Sequence, residues 1–500
     1  MPAQDAAPAH PCRPADGSRW REPDGGAFAL GEQDRERLAA RLALAVTRAR
    51  RSGGEVLATL SLALEEDVDP SAVVCASRRE DDRWFVFEQP DRGRRALAAL
   101  GEATSVQARG EERFVTVAHR WRTLSAAAVS DPADEAGGGG ALAVGGFAFA
   151  PDGGSAPHWR GFEPASLTVP EVALVRSERD GRTSVRLTLA ALARPDDMPE
   201  HLLARLDRRL AELHSAPPPL LDPAPTGRFL LASAMAPEHY EQAVKRATEM
   251  IGAGEMQKIV LAREVHVHAP RAYDPAAVFG VLRDEFPSCF VFCVGRPEGT
   301  LVAASPELLV RREGHRVSTL ALAGSTRRSA DPAVDAHLGE QLLRDESYRE
   351  EHAIVARRIE RTLRPHAIWV TAAPEPELVR IANIQHLATP IRAQLAAPMD
   401  ALELAELMHP TPAVGGEPLK CAAPMIPALE GLDRGWYTGP VGWTDATGDG
   451  EFCVALRCAL LRANVARCYA GGGIVADSDP AAELAETEVK LGALLPLLAG

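Results

Sequence analysis

The chain has 500 residues and a formal net charge of −14, with 46% hydrophobic and 25% charged residues. This composition is ordinary for a globular protein, and its acidity argues against nucleic acid or anionic membranes as partners, because both are bound through basic patches. No apolar run reaches the roughly 18 residues of a bilayer span, and residues 1–26 lack the apolar segment of a secretory signal. We therefore expect a cytoplasmic protein. A small anionic substrate is still compatible with the net charge, because a local pocket can be positive in an acidic protein.

Periodic apolar segments follow one another along the chain. The predicted elements are, in chain order, strands at 83–87, 114–117 and 183–189, helices at 201–214 and 236–251, a strand at 258–268, a long helix from Asp331-Pro332 towards 363, a hairpin of strands 451–461 and 465–470, a turn at Gly471–Gly473, and a last helix that begins at Asp479-Pro480.

Composition also indicates how the chain is divided. Residues 1–28 are polar and rich in proline, which predicts a disordered tail. The proline-rich segment 216–228 is the clearest linker signal. It separates an N-terminal half, 29–215, from a C-terminal region, 229–500, and leaves open whether the two halves share one core.

Lysine is rare in this chain. Only four of the 55 basic side chains are lysines, namely Lys245, Lys258, Lys420 and Lys490. A desolvated amine can give up a proton, whereas a guanidinium effectively cannot. Lys258 begins the predicted buried strand and Lys490 ends a helical segment, so both are candidates for a role that arginine cannot fill. The alternative is that compositional drift spared four lysines by chance.

Two predicted helices carry carboxylates in unusual positions. Glu351 shares a helix face with the apolar Val355, where a carboxylate is costly unless it is paired or bound to a cation. Glu483, Glu486 and Lys490 lie on one face of the last helix. Glu351 and Glu486 would suit Mg²⁺, which prefers oxygen ligands. The alternatives are a salt bridge to an arginine and an ordinary solvated pair on the surface.

Two short turns could also present functional groups. Ser305-Pro306-Glu307 follows an apolar strand, and the proline fixes a turn that presents Glu307 at the strand end. Leu322-Ala323-Gly324-Ser325 is predicted to form a turn of small residues. The alternative for each is a plain loop.

Taken in order, the motifs resemble those of the chorismate-utilising enzymes, most closely the isochorismate synthases. The resemblance covers roughly 230–500 and is looser in the N-terminal half, at 87–92 and 145–149. The motifs that carry it are 254–263 (GEMQKIVLAR), 305–307 (SPE), 322–325 (LAGS), 351–352 (EH), 385–390 (QHLATP), 409–416 (HPTPAVGG), 435–442 (GWYTGPVG), 456–459 (LRCA) and 471–475 (GGGIV).

The resemblance implies an α/β (α+β) fold in which large antiparallel sheets pack as a sandwich with helices outside. It also implies a Mg²⁺-dependent isomerase that adds water to C2 of chorismate and releases the C4 hydroxyl. Members that add ammonia have glutamine where this chain has Lys258, so the lysine indicates water. A monomer without an obligate glutaminase subunit is expected. The alternatives are a salicylate synthase, an aminating enzyme similar to anthranilate synthase, and a non-catalytic chorismate-binding relative, and the pathway is open between siderophores and menaquinone.

The resemblance also assigns roles to individual residues. It makes Lys258 the general base and Glu307 the general acid. Glu351 and Glu486 hold Mg²⁺. The supporting residues are Glu483, Gly324 and Ser325, and the substrate-binding residues are His386, Tyr437, Arg457, Gly471, Gly472, Gly473 and Lys490.

These roles require opposite protonation states in two neighbouring groups. Lys258 must lose a proton near neutral pH, and the pKa of Glu307 must be raised so that it still holds one. The chain departs from the family pattern at Ser347-Tyr348, where Lys-Asp is usual, and at Glu417, where relatives often carry a small or apolar residue. The first departure could loosen the surroundings of the metal ligands, and the second could disturb contacts with the ring.

Overall fold

The computed structural model describes residues 28–64, 67–130, 140–179, 181–222, 225–381 and 383–499. Apart from Phe28, the predicted disordered tail lies outside these residues. The described helices are α1 Glu32–Ser52, α2 Pro70–Ser77, α3 Arg113–Ala126, α4 Pro199–Ala211, α5 Pro237–Gly252, α6 Pro275–Glu285, α7 Pro332–Arg344, α8 Glu346–Leu363, α9 Ala401–Met408, α10 Leu419–Glu430, α11 Pro480–Leu491 and α12 Leu495–Ala499.

Strands occur along the whole described chain. They are β1 Val56–Leu64, β2 Trp84–Gln89, β3 Arg95–Leu100, β4 Thr104–Ala108, β5 Leu142–Phe147, β6 Ala165–Val169, β7 Val172–Arg179, β8 Arg182–Ala193, β9 Leu230–Ser233, β10 Lys258–His268, β11 Phe290–Arg296, β12 Gly299–Ser305, β13 Leu308–Glu313, β14 Arg316–Arg327, β15 Ala367–Ala372, β16 Glu377–Ile381, β17 Ile384–Leu395, β18 Gly416–Glu417, β19 Pro440–Asp445, β20 Gly450–Val454, β21 Cys458–Arg462 and β22 Val465–Ile474.

The strands form two large antiparallel sheets. The first runs β1-β8-β7-β3-β2-β11-β12-β21-β22-β10-β18, with β9 beside β10, and the second runs β15-β17-β14-β13-β20-β19-β5-β6-β4, with β16 beside β17. Aromatic and aliphatic side chains of both sheets, such as Phe292 and Val441, pack between them. Helices such as α1 and α8 cover the outer faces. The predicted antiparallel sandwich with helices outside is therefore confirmed.

Strands from the two sides of the proline-rich segment pair directly. β2 pairs with β11 in the first sheet, and β5 pairs with β19 in the second. The described residues between α4 and β9 form neither helix nor strand, as a linker would. The two halves thus share both sheets, although the chain passes between them through this segment.

The chain crosses from one sheet to the other at two adjacent points. β12 of the first sheet ends at Ser305, and β13 of the second begins at Leu308. The return crossing separates β20 from β21. The two crossings are bonded to each other, because Val454 N donates to Glu307 O at 3.0 Å and Ala304 N donates to Arg457 O at 3.1 Å. Glu307 and Arg457 therefore lie side by side where the sheets meet.

Several predicted elements were wrong, each because a tertiary contact or backbone feature overrode the local pattern. The strand 451–461 is two strands, since Arg457 adopts φ +47° between them. The strand 114–117 is part of α3, which buries Phe114 and Trp121 against the second sheet. Segment 322–325 is not a turn but part of β14, where Gly324 forms a bulge at φ +74°.

Two further corrections concern the C-terminal region. Gly471–Gly473 is not a turn but lies in β22, paired with β10. The long helix from Asp331 is two helices, because the side chain of Asp345 caps α8 by accepting from Ser347 N and Tyr348 N. The helices predicted at 201–214 and 236–251 and the strand at 258–268 are confirmed, with small shifts at the helix ends.

Candidate active site

A cavity of about 690 Å³, including its open mouth, lies beside the two crossings between the sheets. Strands of the first sheet, the bulge of β14 and the N-terminal part of α8 form its walls together with α11. Its polar and charged lining residues include Glu307, Ser325, Glu351, His386, Tyr437, Arg457, Gly471, Gly472, Gly473, Glu486 and Lys490. The structure thus brings together most of the predicted site residues, although they are spread over nearly 200 positions of sequence.

Lys258 lies just behind this wall at the start of β10. Its side chain is 1% exposed, and its Nζ donates to Glu351 Oε1 at 2.8 Å. Glu351 is held on α8, which packs on β14 of the second sheet. The salt-bridge alternative for Glu351 is therefore realised, but its partner is the candidate base rather than an arginine. The amine is therefore engaged by Glu351 rather than directed into the cavity.

Glu307 is buried at the first crossing, with 3% of its surface exposed. Burial raises the pKa of its carboxyl to about 8, although the nearby Lys258 opposes the rise, as does Thr411 through its hydroxyl. Thr411 Oγ1 lies 3.5 Å from Glu307 Oε1. The predicted rise of this pKa is confirmed, and Glu307 holds a proton near neutrality as a general acid must.

Glu486 is the most heavily bonded carboxylate of the site. Its Oε1 accepts from Ser325 Oγ at 2.7 Å and lies 2.6 Å from Lys490 Nζ. Burial alone would raise the pKa of Glu486, but Lys490 and Ser325 outweigh it and the pKa is lowered. Lys490 also donates to Gly471 O at 2.8 Å, which ties α11 to β22. Glu486 therefore presents an ionised carboxylate to the cavity.

The third carboxylate, Glu483, lies one turn earlier on α11. Burial and then the charge of Glu486 raise the pKa of Glu483 to about 7, and Glu351 contributes in the same direction. Ser478 Oγ donates to Glu483 Oε1 at 2.7 Å. The charges of Glu486 and Glu351 thus make Glu483 harder to ionise, and a cation beside these carboxylates would offset that repulsion.

This donor set fits Mg²⁺. Among the described residues, no three His, Cys, Asp or Glu side chains are grouped so as to hold a metal ion by themselves. Mg²⁺ is usually bound by one or two carboxylates together with substrate oxygens and water, so a full protein cage is not required. Glu351 and Glu486 both line the cavity and supply the hard oxygens that this ion prefers.

Arg457 places a buried guanidinium in the cavity wall. It is buried, and its left-handed backbone is held between β20 and β21, as is typical of functional sites. Its Nη2 donates to His386 Nε2 at 2.9 Å, and its Nη1 has no hydrogen-bond partner among the residues that the structure describes. Burial and then the charge of Arg457 lower the pKa of His386, which is therefore neutral. Nη1 of Arg457 is therefore an unpaired N–H donor in a residue that lines the cavity.

Two stacked tyrosines form an aromatic part of the cavity wall. Tyr437 stacks on Tyr469 with ring centroids 5.1 Å apart. Tyr469 also lines the cavity, and its hydroxyl has no partner in the described part of the chain. The sequence analysis missed this residue. Its position two residues before the glycine run was the available signal.

The glycine run leaves room for the charged groups. A Cβ at Gly473 would overlap Glu351 Oε1 and lie 2.7 Å from Lys258 Cε, and one at Gly472 would lie 2.6 Å from Glu483 Oε2. Close packing of β22 against these side chains therefore explains why residues without a side chain are needed here.

A buried ion pair lies beside the site, next to the strand that carries Lys258. The sequence motifs did not indicate it. Arg434 pairs with Glu430, and its guanidinium donates to Val260 O at 2.9 Å and Val414 O at 2.8 Å. Glu430 in turn accepts from Ala262 N at 2.7 Å. The pair holds the strand of Lys258 to the loop before β18. Its signal is the i,i+4 spacing of Glu430 and Arg434 across a helix end.

The departures from the family pattern lie outside the cavity wall. Ser347 Oγ donates to Asp477 at 3.3 Å. Tyr348 lies close to Gly324, since a Cβ added at Gly324 would lie 3.4 Å from both Tyr348 Cβ and Tyr348 O. The Glu417 carboxylate is directed to arginines of α8. The charge of Glu417 is thus paired with these arginines, and its predicted effect on ring contacts stays a prediction.

Comparison with known proteins agrees with this arrangement. The family model described as chorismate binding enzyme matches residues 44–499. The chain belongs to the chorismate binding enzyme family. Members that it resembles include the salicylate biosynthesis isochorismate synthase of Pseudomonas aeruginosa, with 36% identity over 90% of this chain and 92% of that protein. The isochorismate synthase MenF of Bacillus subtilis is 30% identical over 91% of this chain and 96% of its own length.

The family likeness extends to solved structures. The structure of MenF, the menaquinone-specific isochorismate synthase from Escherichia coli, aligns with a TM-score of 0.71 and 26% identity, covering 92% of this chain and all of that one. Of the helices in the described ranges, none combines the length and apolar character that a bilayer span requires.

Proposed function

We propose that this member of the chorismate binding enzyme family is an isochorismate synthase, an isomerase that converts chorismate to isochorismate. The observation that carries the proposal is the pair of buried groups beside the cavity, Lys258 and Glu307. One is an amine and the other a carboxyl that burial keeps protonated to about pH 8. The named isochorismate synthases that the chain resembles over nine-tenths of its length support the same assignment.

In the proposed reaction, Lys258 takes a proton from a water molecule whose oxygen forms the new bond to C2 of chorismate. The two ring double bonds shift and the C4–O bond breaks. Glu307 gives its proton to the departing hydroxyl, which leaves as water. One water enters and one leaves, so the product is an isomer of the substrate.

The remaining residues of the site would bind and orient the substrate. Arg457, through its free Nη1, and Lys490 would bind the two carboxylates with amides of the glycine run, while His386 and Tyr437 would lie beside the ring. Glu351 and Glu486 would hold Mg²⁺, with Glu483 in support. When bound, this cation would neutralise charge on the dianionic substrate and help to orient it.

The direct test is product identification. The purified chain is incubated with chorismate and MgCl₂, with a parallel sample in which a chelator removes the metal and MgCl₂ is then restored. We expect isochorismate, identified by chromatography and mass, only in the samples that contain Mg²⁺. Turnover that persists unchanged in the chelator would contradict the Mg²⁺ assignment.

Other products would reassign the function. Salicylate and pyruvate as the main products would identify a salicylate synthase, and anthranilate formed with ammonium would identify an aminating enzyme. Chorismate binding without turnover would identify a non-catalytic relative. Because water rather than ammonia is the nucleophile, we also expect that the chain needs no glutaminase subunit. We further propose that it is a cytoplasmic monomer, and light scattering of the active sample tests the oligomeric state.

A further inference from the structure

The carboxylate of Glu417 binds two arginines of the helix that carries Glu351. Arg361 Nη2 lies 2.7 Å from Glu417 Oε1, and Arg358 Nη1 lies 3.4 Å from Oε2. The side chain of Glu417 is 11% exposed, so its charge is mostly removed from water and depends on these partners. The side chains of Arg358 and Arg361 are more exposed, at 35% and 66% respectively.

Glu417 is also the direct neighbour of Lys258. The two residues are register partners in the β10–β18 pair, and Gln257 N donates to Glu417 O at 2.8 Å. Side chains of directly opposite residues lie on the same face of a sheet. Both side chains accordingly contact α8. Lys258 pairs with Glu351, and Glu417 pairs with Arg358, which lies about two turns after Glu351 on the helix.

The helix α8 is therefore tied to one strand pair at two points. The first tie, Lys258 to Glu351, uses Oε1 of a cavity-lining carboxylate that is proposed to hold the cation. The second tie uses no cavity-lining group. If Glu351 turns to a cation, the first tie is weakened, and the second tie then holds α8 beside β10 and β18 together with the packing of the helix on β14.

We propose that Glu417, together with Arg358 and Arg361, is a positioning clamp that keeps Glu351 at the Mg²⁺ site after Glu351 releases Lys258. The inference deepens the proposed function and rests on it. Glu417 is thus a positioning residue that acts through α8, and it has no contact with the substrate.

The test compares Glu417→Gln and the double variant Arg358→Ala/Arg361→Ala with a matched control on the same helix. Arg357→Ala is that control, since Arg357 pairs with Glu350 at 2.8 Å and both side chains are more than 60% exposed. Each protein is titrated with Mg²⁺ alone by calorimetry. The Mg²⁺ concentration for half-maximal turnover and kcat at saturating Mg²⁺ are then measured with chorismate.

We expect both clamp variants to weaken Mg²⁺ binding about tenfold, at the lower end of what loss of an outer partner of a ligand usually costs. kcat at saturating Mg²⁺ should stay within about threefold of wild type, because no reacting group is changed. Combining all three substitutions should be no worse than either clamp variant, since one interaction is removed in each case. Hydrogen exchange in 346–363 should accelerate in the clamp variants but not in Arg357→Ala, and Glu417→Asp should restore part of the affinity.

Wild-type Mg²⁺ affinity in both clamp variants would overturn the clamp, as would a loss of kcat that saturating Mg²⁺ does not restore. The double arginine variant keeps the test decisive if Glu417→Gln does not fold. Failure of the proposed function is distinguishable, because in that case the wild-type chain itself forms no isochorismate.

Discussion

Lys258 Nζ and Glu351 Oε1 lie 2.8 Å apart, so the candidate base forms an ion pair with a candidate metal ligand. The pair spans the two layers of the fold, since Lys258 belongs to the first sheet and Glu351 to a helix that packs on the second. The carboxylate that pairs with the amine is also the proposed cation ligand, so a bound divalent cation would compete with the amine for its charge. Cation binding and release of the amine towards the cavity are therefore expected to be linked.

Replacing the candidate base should abolish turnover while sparing binding. Lys258→Ala is expected to lower kcat by about 10²- to 10⁴-fold, the usual contribution of a positioned base. Glu351 is then free for Mg²⁺, so calorimetry should still detect binding of Mg²⁺ and chorismate. Lys245→Ala, an exposed lysine on α5, is the control and should be unchanged. Activity of Lys258→Ala within threefold of wild type would refute the base assignment.

The candidate acid predicts a pH dependence. Burial raises the pKa of Glu307 to about 8, and the acid must be protonated to act, so kcat should fall as pH rises through about 8. Glu307→Gln is expected to lose about 10²- to 10⁴-fold in kcat at pH 7. Glu313→Gln, at the exposed end of β13, serves as the control. A wild-type rate that stays constant from pH 7 to 9.5 would argue against this role.

The raised pKa of Glu307 also affects how the stability of the fold depends on pH. Between about pH 4.5 and 8 the folded chain keeps a proton on Glu307 that the unfolded chain has lost, so this group makes folding less favourable as pH rises through that window. Glu307→Gln removes the ionisation. Its melting temperature relative to wild type should therefore be higher at pH 9 than at pH 5. An equal difference at the two pH values would contradict the raised pKa.

A small substitution in β22 should disable the site without unfolding the chain. The Cβ of Gly473→Ala would overlap Glu351 Oε1 and press on Lys258 Cε, so we expect at least a tenfold loss of kcat/KM from misplaced catalytic groups. Gly252→Ala, at the end of α5 with no heavy atom within 4 Å of the added carbon, is the matched control. Steady-state kinetics and circular dichroism on both variants separate damage to the site from damage to the fold.

Arg457 is expected to contribute to substrate affinity. A hydrogen bond to a charged group contributes about 1.5–3 kcal/mol, so Arg457→Ala should raise KM for chorismate by about ten- to hundredfold. Arg457→Lys should restore little, because a single ammonium cannot bond His386 and a carboxylate in the geometry of the guanidinium. Arg316→Ala, an exposed residue of β14, controls for loss of positive charge. An unchanged KM in Arg457→Ala would show that the free Nη1 does not bind substrate.

The sequence by itself determined the family, the class of fold and most of the residues that line the candidate site. Short motifs such as Ser305-Pro306-Glu307 could be recognised without a structure because they are local in sequence. Lys258 on a buried strand and Glu486 on the last helix followed from periodicity, which is also a local property. Strand 258–268 and the helix beginning at Asp479-Pro480 were correct for that reason.

Only the tertiary structure decided how these groups act on one another. The pKa of Glu307 depends on burial between two sheets, and the ion pair of Lys258 with Glu351 joins residues 93 positions apart. Residues 114–117 became helical, and Glu417 turned to α8, because of partners distant in sequence. The burial of a side chain and its ion pairs depend on all of its neighbours in space. A sequence pattern gives the order of the side chains along the chain but not the distances between them.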